Sequence, residues 1–422
     1  MFEAAAILFS AGIFIFNYLI NKDVFYPPAL FSLLWTAILI IYVIFVFANG
    51  SAPEYIIDPR CLFVFIAGQV VFCAGSFFAT NPALKKQIKV TQPVIKYGFD
   101  KYIFAVLLVL LPLYIKSLIN IVNSSTYATS STDINFFIAL RYEFTAEGVT
   151  LGILEYLVTF SLFGFAIAMY KFNYADKTEK QTKIDKLYRF FFYAIVIVYT
   201  VLSTGRTYLL VLLCLYIGFR RMKETFTRKT LIRSLLLVVL VFALYAFVLH
   251  KGGGEFFTLQ QNLVNISNTL MEYILGGIYA FNTFIKASPP LDYGENSFRF
   301  FIALFHSAGL TDTEPKSVIM PFIYTPILSN VYSVYYVYIK DFWYFGIIIL
   351  GFFGYLHTRF YYRAKRDFFN LYMYSVFLYP LIMSFFQDQY ISLLSTWIQI
   401  TFFACAALPF IEYKKKKEVT LQ

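Results

Sequence analysis

Apolar runs approaching or exceeding about eighteen residues recur from one end of the chain to the other, separated by short polar connections; this is the pattern of helices that cross a bilayer. The runs are Ala4–Ile20, Ala29–Ala48, Cys61–Thr80, Tyr102–Val122, Leu151–Tyr170, Phe190–Leu202, Tyr208–Phe219, Ser234–His250, Phe342–Leu356, Leu371–Phe386 and Ile391–Ile411. They are continuously apolar rather than alternating, which argues against a β-barrel. The pattern predicts an all-α polytopic integral membrane protein with about 11 transmembrane helices, within a range of 10–12. It treats residues 1–422 as a single membrane domain. The first run has no basic stretch before it and no small-residue cleavage site after it, so it reads as a first span rather than a removable signal.

Charge adds orientation. Only 14% of residues are charged, against 59% hydrophobic, so the few Lys and Arg carry most of the topological information. Basic residues collect in Lys85–Lys101, Lys171–Arg189, Arg220–Arg233, Arg359–Asp367 and the tail 412–422 with its "KKKK". The connections Asn49–Arg60 and Asn123–Thr150 hold one basic residue each. Placing the basic connections in the cytoplasm gives a self-consistent map with the C-terminus inside and the N-terminus outside. The net charge of +11 then belongs to the inner membrane face and is no nucleic-acid footprint.

The same parity explains Arg206, the one charge in Phe190–Phe219. Both flanking connections are basic, so the stretch crosses the membrane an even number of times. It reads as a helical hairpin with short arms, whose outer tip is "STGR", Ser203–Arg206. Two outer loops are large: 123–150, polar and then amphipathic, and 251–341, opened by a "KGGG" hinge. Within the second, Leu263–Ile285 and Val318–Ile339 are apolar enough to be re-entrant or interfacial helices. No inverted internal repeat is visible, which disfavours the common transporter plan.

Ionisable groups near a membrane are candidates for function, since desolvation makes idle ones costly. Three arginines stand on the outer side: Arg141 after "NFFIAL", Arg206 at the hairpin tip, and Arg299 in "SFRFFIALFHSAG" with His306. Guanidinium forks suit a diphosphate at the outer interface, because they grip phosphate oxygens in pairs and stay charged. The ordinary alternatives are snorkelling for Arg206, a solvated amphipathic face for Arg141, Glu143 and Glu147, and a structural role for His306. His250 and His357 lie at span ends and read as interfacial. The four cysteines fall inside apolar runs without metal spacing. No nucleotide, zinc or Ser-His-Asp motif is present, so neither a metal nor a cofactor is expected.

"YPPALFSLLWTAILIIY" (Tyr26–Tyr42), "LSTGRTYLL" (Leu202–Leu210) and "LSNVYSVYYVYIKDFWYFGIIILGFFGY" (Leu328–Tyr355) resemble, in this order, the motifs of oligosaccharide repeat unit polymerases, the Wzy-type O-antigen and capsule polymerases. Arg141 and Gly152 fit the Arg-x10-Gly element of some members; Arg299 and Gly309 are one residue short of it. In the late Asp-Phe-x-x-x-Gly segment, Asp341 matches and the glycine match rests on Gly346.

The resemblance implies a GT-C-like glycosyltransferase fold in the bacterial inner membrane, with two large periplasmic loops and an active site facing the periplasm. It implies undecaprenyl-diphosphate-linked oligosaccharide substrates and a chain-length regulator as partner. On this reading Arg206 and Arg299 grip diphosphate, and Arg141 holds the second lipid or the glycan. The general base is His306 first, with Glu143 and Asp292 as alternatives; Asn330, Tyr332 and Asp341 complete the substrate-binding set. The rival readings are an O-antigen ligase transferring glycan to lipid A core, and a lipid-linked oligosaccharide flippase.

Overall fold

The computed structural model describes residues 2–80, 92–126, 135–174, 182–223 and 259–414 apart from residue 319, with a few positions between 227 and 236. Seven helical stretches among these are long and apolar enough to cross a membrane: Phe2–Asn21, Pro27–Ala48, Pro53–Phe78, Lys96–Ser124, Gly152–Phe172, Tyr335–Arg363 and Phe368–Phe385. A shorter apolar helix covers Leu394–Phe410. The chain is a mostly helical, polytopic membrane protein. The expected span Ser234–His250, apart from Leu236, and the "KGGG" hinge lie outside the described residues.

Chain contacts divide the molecule into two compact units. The first comprises residues 1–87, 263–363 and 377–395. Its N-terminal helices are α1 (Phe2–Asn21), α2 (Pro27–Ala48) and α3 (Pro59–Phe78). Later in the chain come α9 (Leu259–Ala287, in this unit from Leu263), α10 (Arg299–Ser307), α11 (Tyr335–Phe342) and α12 (Ile348–Arg363). Local chemistry sets several of these starts. Two prolines open α2, where their missing N–H groups and fixed φ suit the first turn. Asp58 caps α3 by accepting from the Arg60 amide at 2.8 Å, with Pro59 next. Inside the unit, Trp35 packs on Phe65 and edge-on to Tyr335, and Phe31 stacks on Phe72 at 4.3 Å. Polar side chains join the first helices: Ser10 meets Thr36 at 2.7 Å and donates to Gln69 at 2.8 Å, the usual glue between membrane helices.

The second unit comprises residues 88–262, 364–376 and 396–422. It holds α4 (Phe99–Ser124), α5 (Phe136–Thr145), α6 (Tyr156–Tyr174), α7 (Lys183–Leu202) and α8 (Arg206–Met222). Of the last two long helices, α13 (Phe368–Ile382) gives it residues to Val376, and α14 (Leu394–Ala407) gives it residues from Thr396. Strand β1 (Gln92–Ile95) pairs antiparallel with β4 (Ile411–Lys414), so the start of the basic tail is tied to the connection before α4. Helix α7 opens with a full capping box, Thr182 and Asp185 bonding reciprocally.

The hairpin predicted at Phe190–Phe219 is present; its first helix, α7, is longer than the apolar arm, and its second, α8, has 17 residues. Helix α7 starts seven residues before the apolar run, because Lys183, Asp185, Lys186 and Arg189 continue the same helix in polar form. Twenty residues rise about 30 Å, a full membrane thickness. The segment Val318–Ile339 also differs from the expected helix. A two-residue-per-strand hairpin, β2 (Ile323–Tyr324) with β3 (Leu328–Ser329), fills its first half, and helix begins only at Tyr335. Pro321 and Pro326 explain this, since proline removes a donor and clashes inside a helix.

Within each unit, side-chain contacts group the connections by the end on which they lie. In the first unit Tyr361 donates to Asp23 at 2.7 Å and Tyr362 to Asn21 at 3.1 Å, joining two connections that parity puts inside. Asn282 accepts from the Asp58 amide at 2.8 Å and Tyr279 donates to the Tyr55 carbonyl at 2.9 Å, joining two that parity puts outside. In the second unit buried Asp100 accepts from Lys171 at 2.6 Å and Tyr188 at 3.1 Å, joining segments that parity puts inside; Arg141 reaches the hairpin tip, joining two that parity puts outside. Within each unit the grouping is the one the basic residues predict.

Candidate functional site

A cleft in the first unit is built from segments that sequence parity puts on one side of the membrane. Loop 251–341 supplies Asn296, Arg299, Asn330, Tyr332 and Tyr336, and the connection between the last two apolar helices supplies Gln387, Asp388 and Ser392. A strap including Ser317, Val318 and Met320 forms another wall. The cavity encloses about 30 Å³, room for water but not for a sugar ring.

Arg299 is the first residue of α10 and half-buried. Its Nε donates to the Lys316 carbonyl on the strap, while its two terminal nitrogens have no acceptor among the described residues. Burial pulls this guanidinium below the ordinary arginine range, yet it stays charged at neutral pH. Lys316 itself is held by Glu295 at 2.9 Å, with Asp292 at 3.9 Å. The Glu295 contact, reinforced by Asp292, pushes the Lys316 ammonium up. Both Lys316 and Glu295 are 44% exposed, so this pair ties the strap weakly.

Asp341 lies behind Arg299 rather than in the cleft, with 1% exposure. One carboxylate oxygen accepts from Asn296 Nδ2 at 2.7 Å and the Asn296 amide at 3.3 Å, the other from the Ser297 amide at 2.6 Å. These bonds fix the turn that launches α10 and so aim Arg299. Asp292 takes the second Asn296 contact at 3.0 Å and pairs with Lys340 at 3.2 Å. Gly346 completes the Asp-Phe-x-x-x-Gly segment for a steric reason, since a Cβ there would lie 2.1 Å from the Tyr338 carbonyl. Asp341→Ala leaves the Asn296 and Ser297 amides without that acceptor and takes one of two acceptors from Asn296 Nδ2; a loss of about 2–3 kcal/mol is expected, with Asp341→Asn milder. A thermal melt of the detergent-extracted variants checks this, and an unchanged Asp341→Ala melt would refute the stapling role.

In the second unit the hairpin tip gathers positive charge. Arg206 opens α8, at the positive end of the helix dipole. Arg141, on α5, donates Nη1 to the Thr204 carbonyl at 3.2 Å. Thr204 is nearly buried and held at φ +52°, an uncommon conformation for a β-branched residue. The fold thus brings two guanidiniums beside one helix N-terminus. Glu143, on the same short helix as Arg141, is 8% exposed.

His306 is exposed on α10, about two turns beyond Arg299, and is not brought into the cleft. Its Nδ1 lies 3.2 Å from the Thr311 carbonyl, which can only accept, so Nδ1 is the donor of that contact. Gly309, with φ +68°, ends that helix, whereas Gly152, with φ +58°, precedes α6, so the two glycines of the Arg-x10-Gly pattern do different structural jobs.

Sequence reading missed Gln387 and Asp388. The Asp388 carboxylate is 1% exposed and accepts from Tyr338 at 2.6 Å, from Ser392 Oγ at 2.9 Å, and from the Tyr390, Ile391 and Ser392 amides. Burial pushes it up, against the pull of those donors. The available signal was a "QDQ" insert inside an otherwise apolar 371–411. His357 is not interfacial: it is fully buried, with Nε2 2.9 Å from the Tyr390 hydroxyl.

Over 407 residues, 94% of this chain and 95% of the relative, the sequence is 22% identical to an Escherichia coli (strain K12) protein described as "Putative O-antigen polymerase". The likeness spans both chains rather than one shared segment. No protein-family model matches the chain, and no solved structure does.

Proposed function

We propose that this protein is a repeat-unit polymerase for a bacterial surface polysaccharide, a GT-C-type glycosyltransferase of the inner membrane acting on the periplasmic side. The observation that carries the reading is the end-to-end likeness to the Escherichia coli (strain K12) relative. The arginine-lined outer elements support it chemically. The donor is the growing glycan on undecaprenyl diphosphate, and the acceptor is one repeat unit on a second such lipid. A hydroxyl of the acceptor's terminal sugar attacks the donor's anomeric carbon, the bond from that carbon to the diphosphate oxygen breaks, and the hydroxyl proton passes to a base. Charge developing on the leaving diphosphate is met by guanidiniums held in a partly dry site. Arg206 and Arg141 offer one such place and Arg299 another. His306 is the first candidate for that base, its Nδ1 rather than its Nε2 being engaged by the Thr311 carbonyl, with Glu143 and Asp292 as alternatives. A separate chain-length regulator acts as partner.

The test is purified protein in vesicles supplied with lipid-linked repeat units alone. A ladder of lengthened glycan is the expected product. Unchanged units, which a ligase or a flippase would leave, overturn the reading.

A further inference from the structure

The cleft beside Arg299 gathers hydrogen-bonding groups that nothing in the protein uses. The side-chain amides of Asn330 and Gln387, the hydroxyls of Tyr332 and Tyr336, and the terminal nitrogens of Arg299 all line it, and none has a partner among the described residues. Side chains on packed elements usually find partners, so several uncommitted groups converging on one concavity mark a place for a ligand that supplies the other halves of the bonds. The aromatic part is rigid. Tyr332, just before α11, and Tyr336, on it, have ring centroids 4.4 Å apart, and Phe284 supports Tyr336 edge-on at 4.9 Å.

The chemistry of the lining selects the ligand. Amides donate and accept at once and phenols do both with one atom, which matches the vicinal hydroxyls of a sugar. Tyrosine rings offer an apolar face for the C–H side of a pyranose while keeping a polar tip. A cation is a poor match. The one carboxylate in the wall, Asp388, already accepts five hydrogen bonds, and Asp292 and Asp341 are compensated by Lys340, Lys316 and Asn296. Only Arg299 adds charge, and it adds it at one edge. A neutral polyhydroxylated surface with a single guanidinium describes a sugar bearing a phosphate.

We infer that this cleft is a glycosyl-phosphate subsite: it reads the sugar whose anomeric carbon carries the diphosphate, with Asn330, Gln387 and Tyr332 on the ring and Arg299 on the phosphate. This rests on the polymerase reading for the identity of the ligand and assigns Gln387 and Asn330 as specificity-determining residues. The cavity is too small for a pyranose as it stands, so binding moves a wall. The strap is the wall to move. It is tied by the half-exposed Lys316–Glu295 pair and by the Arg299 Nε bond to the Lys316 carbonyl, which leaves the terminal nitrogens of Arg299 for the phosphate.

The experiment reads binding, not turnover. The probes are the oligosaccharide 1-phosphate released from the cells' own lipid-linked repeat units, the same oligosaccharide without phosphate, and inorganic pyrophosphate. Each is titrated against the purified full-length protein in nanodiscs by calorimetry, with saturation-transfer NMR reporting which sugar protons touch aromatic rings. Gln387→Ala and Asn330→Ala change side chains with no internal bonds, so they fold. Each is expected to weaken the oligosaccharide 1-phosphate roughly tenfold while leaving pyrophosphate unchanged. Arg299→Ala is expected to weaken both phosphate-bearing probes and spare the neutral oligosaccharide. Wild-type affinity for the oligosaccharide 1-phosphate in both amide variants overturns the subsite, as does transfer confined to the sugar farthest from the phosphate. A protein that lengthens glycan in vesicles while its amide variants bind normally loses this inference and keeps the polymerase assignment. A protein that binds the probes as described but lengthens nothing keeps the subsite and loses the reaction.

Discussion

Arg206→Lys protein is expected to accumulate in the membrane at the wild-type level and to lose glycan-lengthening activity by about 10²–10³-fold. The substitution keeps a positive charge at the start of α8 and removes only the planar fork. If Arg206 served by snorkelling, lysine would serve as well, because an ammonium on a flexible stem reaches headgroups readily. If it grips a diphosphate, lysine loses the paired, oriented bonds that stabilise the leaving group. The surroundings favour the second role. A cation at a helix N-terminus opposes the dipole, and Arg141 brings another to the same tip through the Thr204 carbonyl. A diphosphate bound at this tip would meet both guanidiniums at once. Polymer ladders from cells carrying Arg206→Lys, normalised to protein abundance, make the measurement. Full-length polymer at normal abundance would remove Arg206 from the site.

The helical, membrane-spanning character was legible because a bilayer imposes length directly on sequence, and seven helical stretches are long and apolar enough to cross one. Ten of the expected apolar runs correspond to described helices, and the contacts of Asp100, Asp23, Asn282 and Arg141 pair the connections as the basic residues predict. Helix ends were less legible. The polar first turns of α7 carry no hydropathy signal, so its arm was read too short. Apolar content also misled at 318–339, where two prolines outweigh it.

The site was legible only in part. Arg299, Asn330 and Tyr332 do meet in one cleft, although they are spread along the 251–341 loop. Asp341 belongs to the same neighbourhood, but its oxygens are committed to the Asn296–Ser297 turn, a distinction no linear spacing reveals. Gln387 and Asp388 escaped notice because a short polar connection between two spans looks like an ordinary loop. Their significance comes from the fold bringing that connection against loop 251–341. His357 looked interfacial because it lies near a basic span end, yet the rings of Phe72, Phe377 and Tyr390 enclose it.

Replacing Gly75 by valine is expected to remove the protein from the folded membrane fraction, whereas Gly12→Val leaves it unaffected. Helices α3 and α12 cross so closely that a Cβ on Gly75 would lie 1.8 Å from the Gly351 carbonyl oxygen, and one on Gly354 would lie 2.0 Å from that of Phe72. The obstructing atoms are backbone, so no side chain can swing aside, and the crossing itself must open. Opening it breaks the 3.0 Å bond from Ser76 Oγ to the Gly354 carbonyl. It also separates the surfaces on which membrane helices depend, since association there comes from close packing and interhelical hydrogen bonds rather than from water release. Overpacking costs typically about 1–3 kcal/mol where side chains yield, and a backbone clash lies beyond that range. Gly12, by contrast, has nothing within 4 Å of its missing Cβ. Fluorescence-detected gel filtration after stepwise heating gives the comparison. A Gly75→Val melt within about 2 °C of wild type would mean that the α3–α12 crossing does not hold the first unit together.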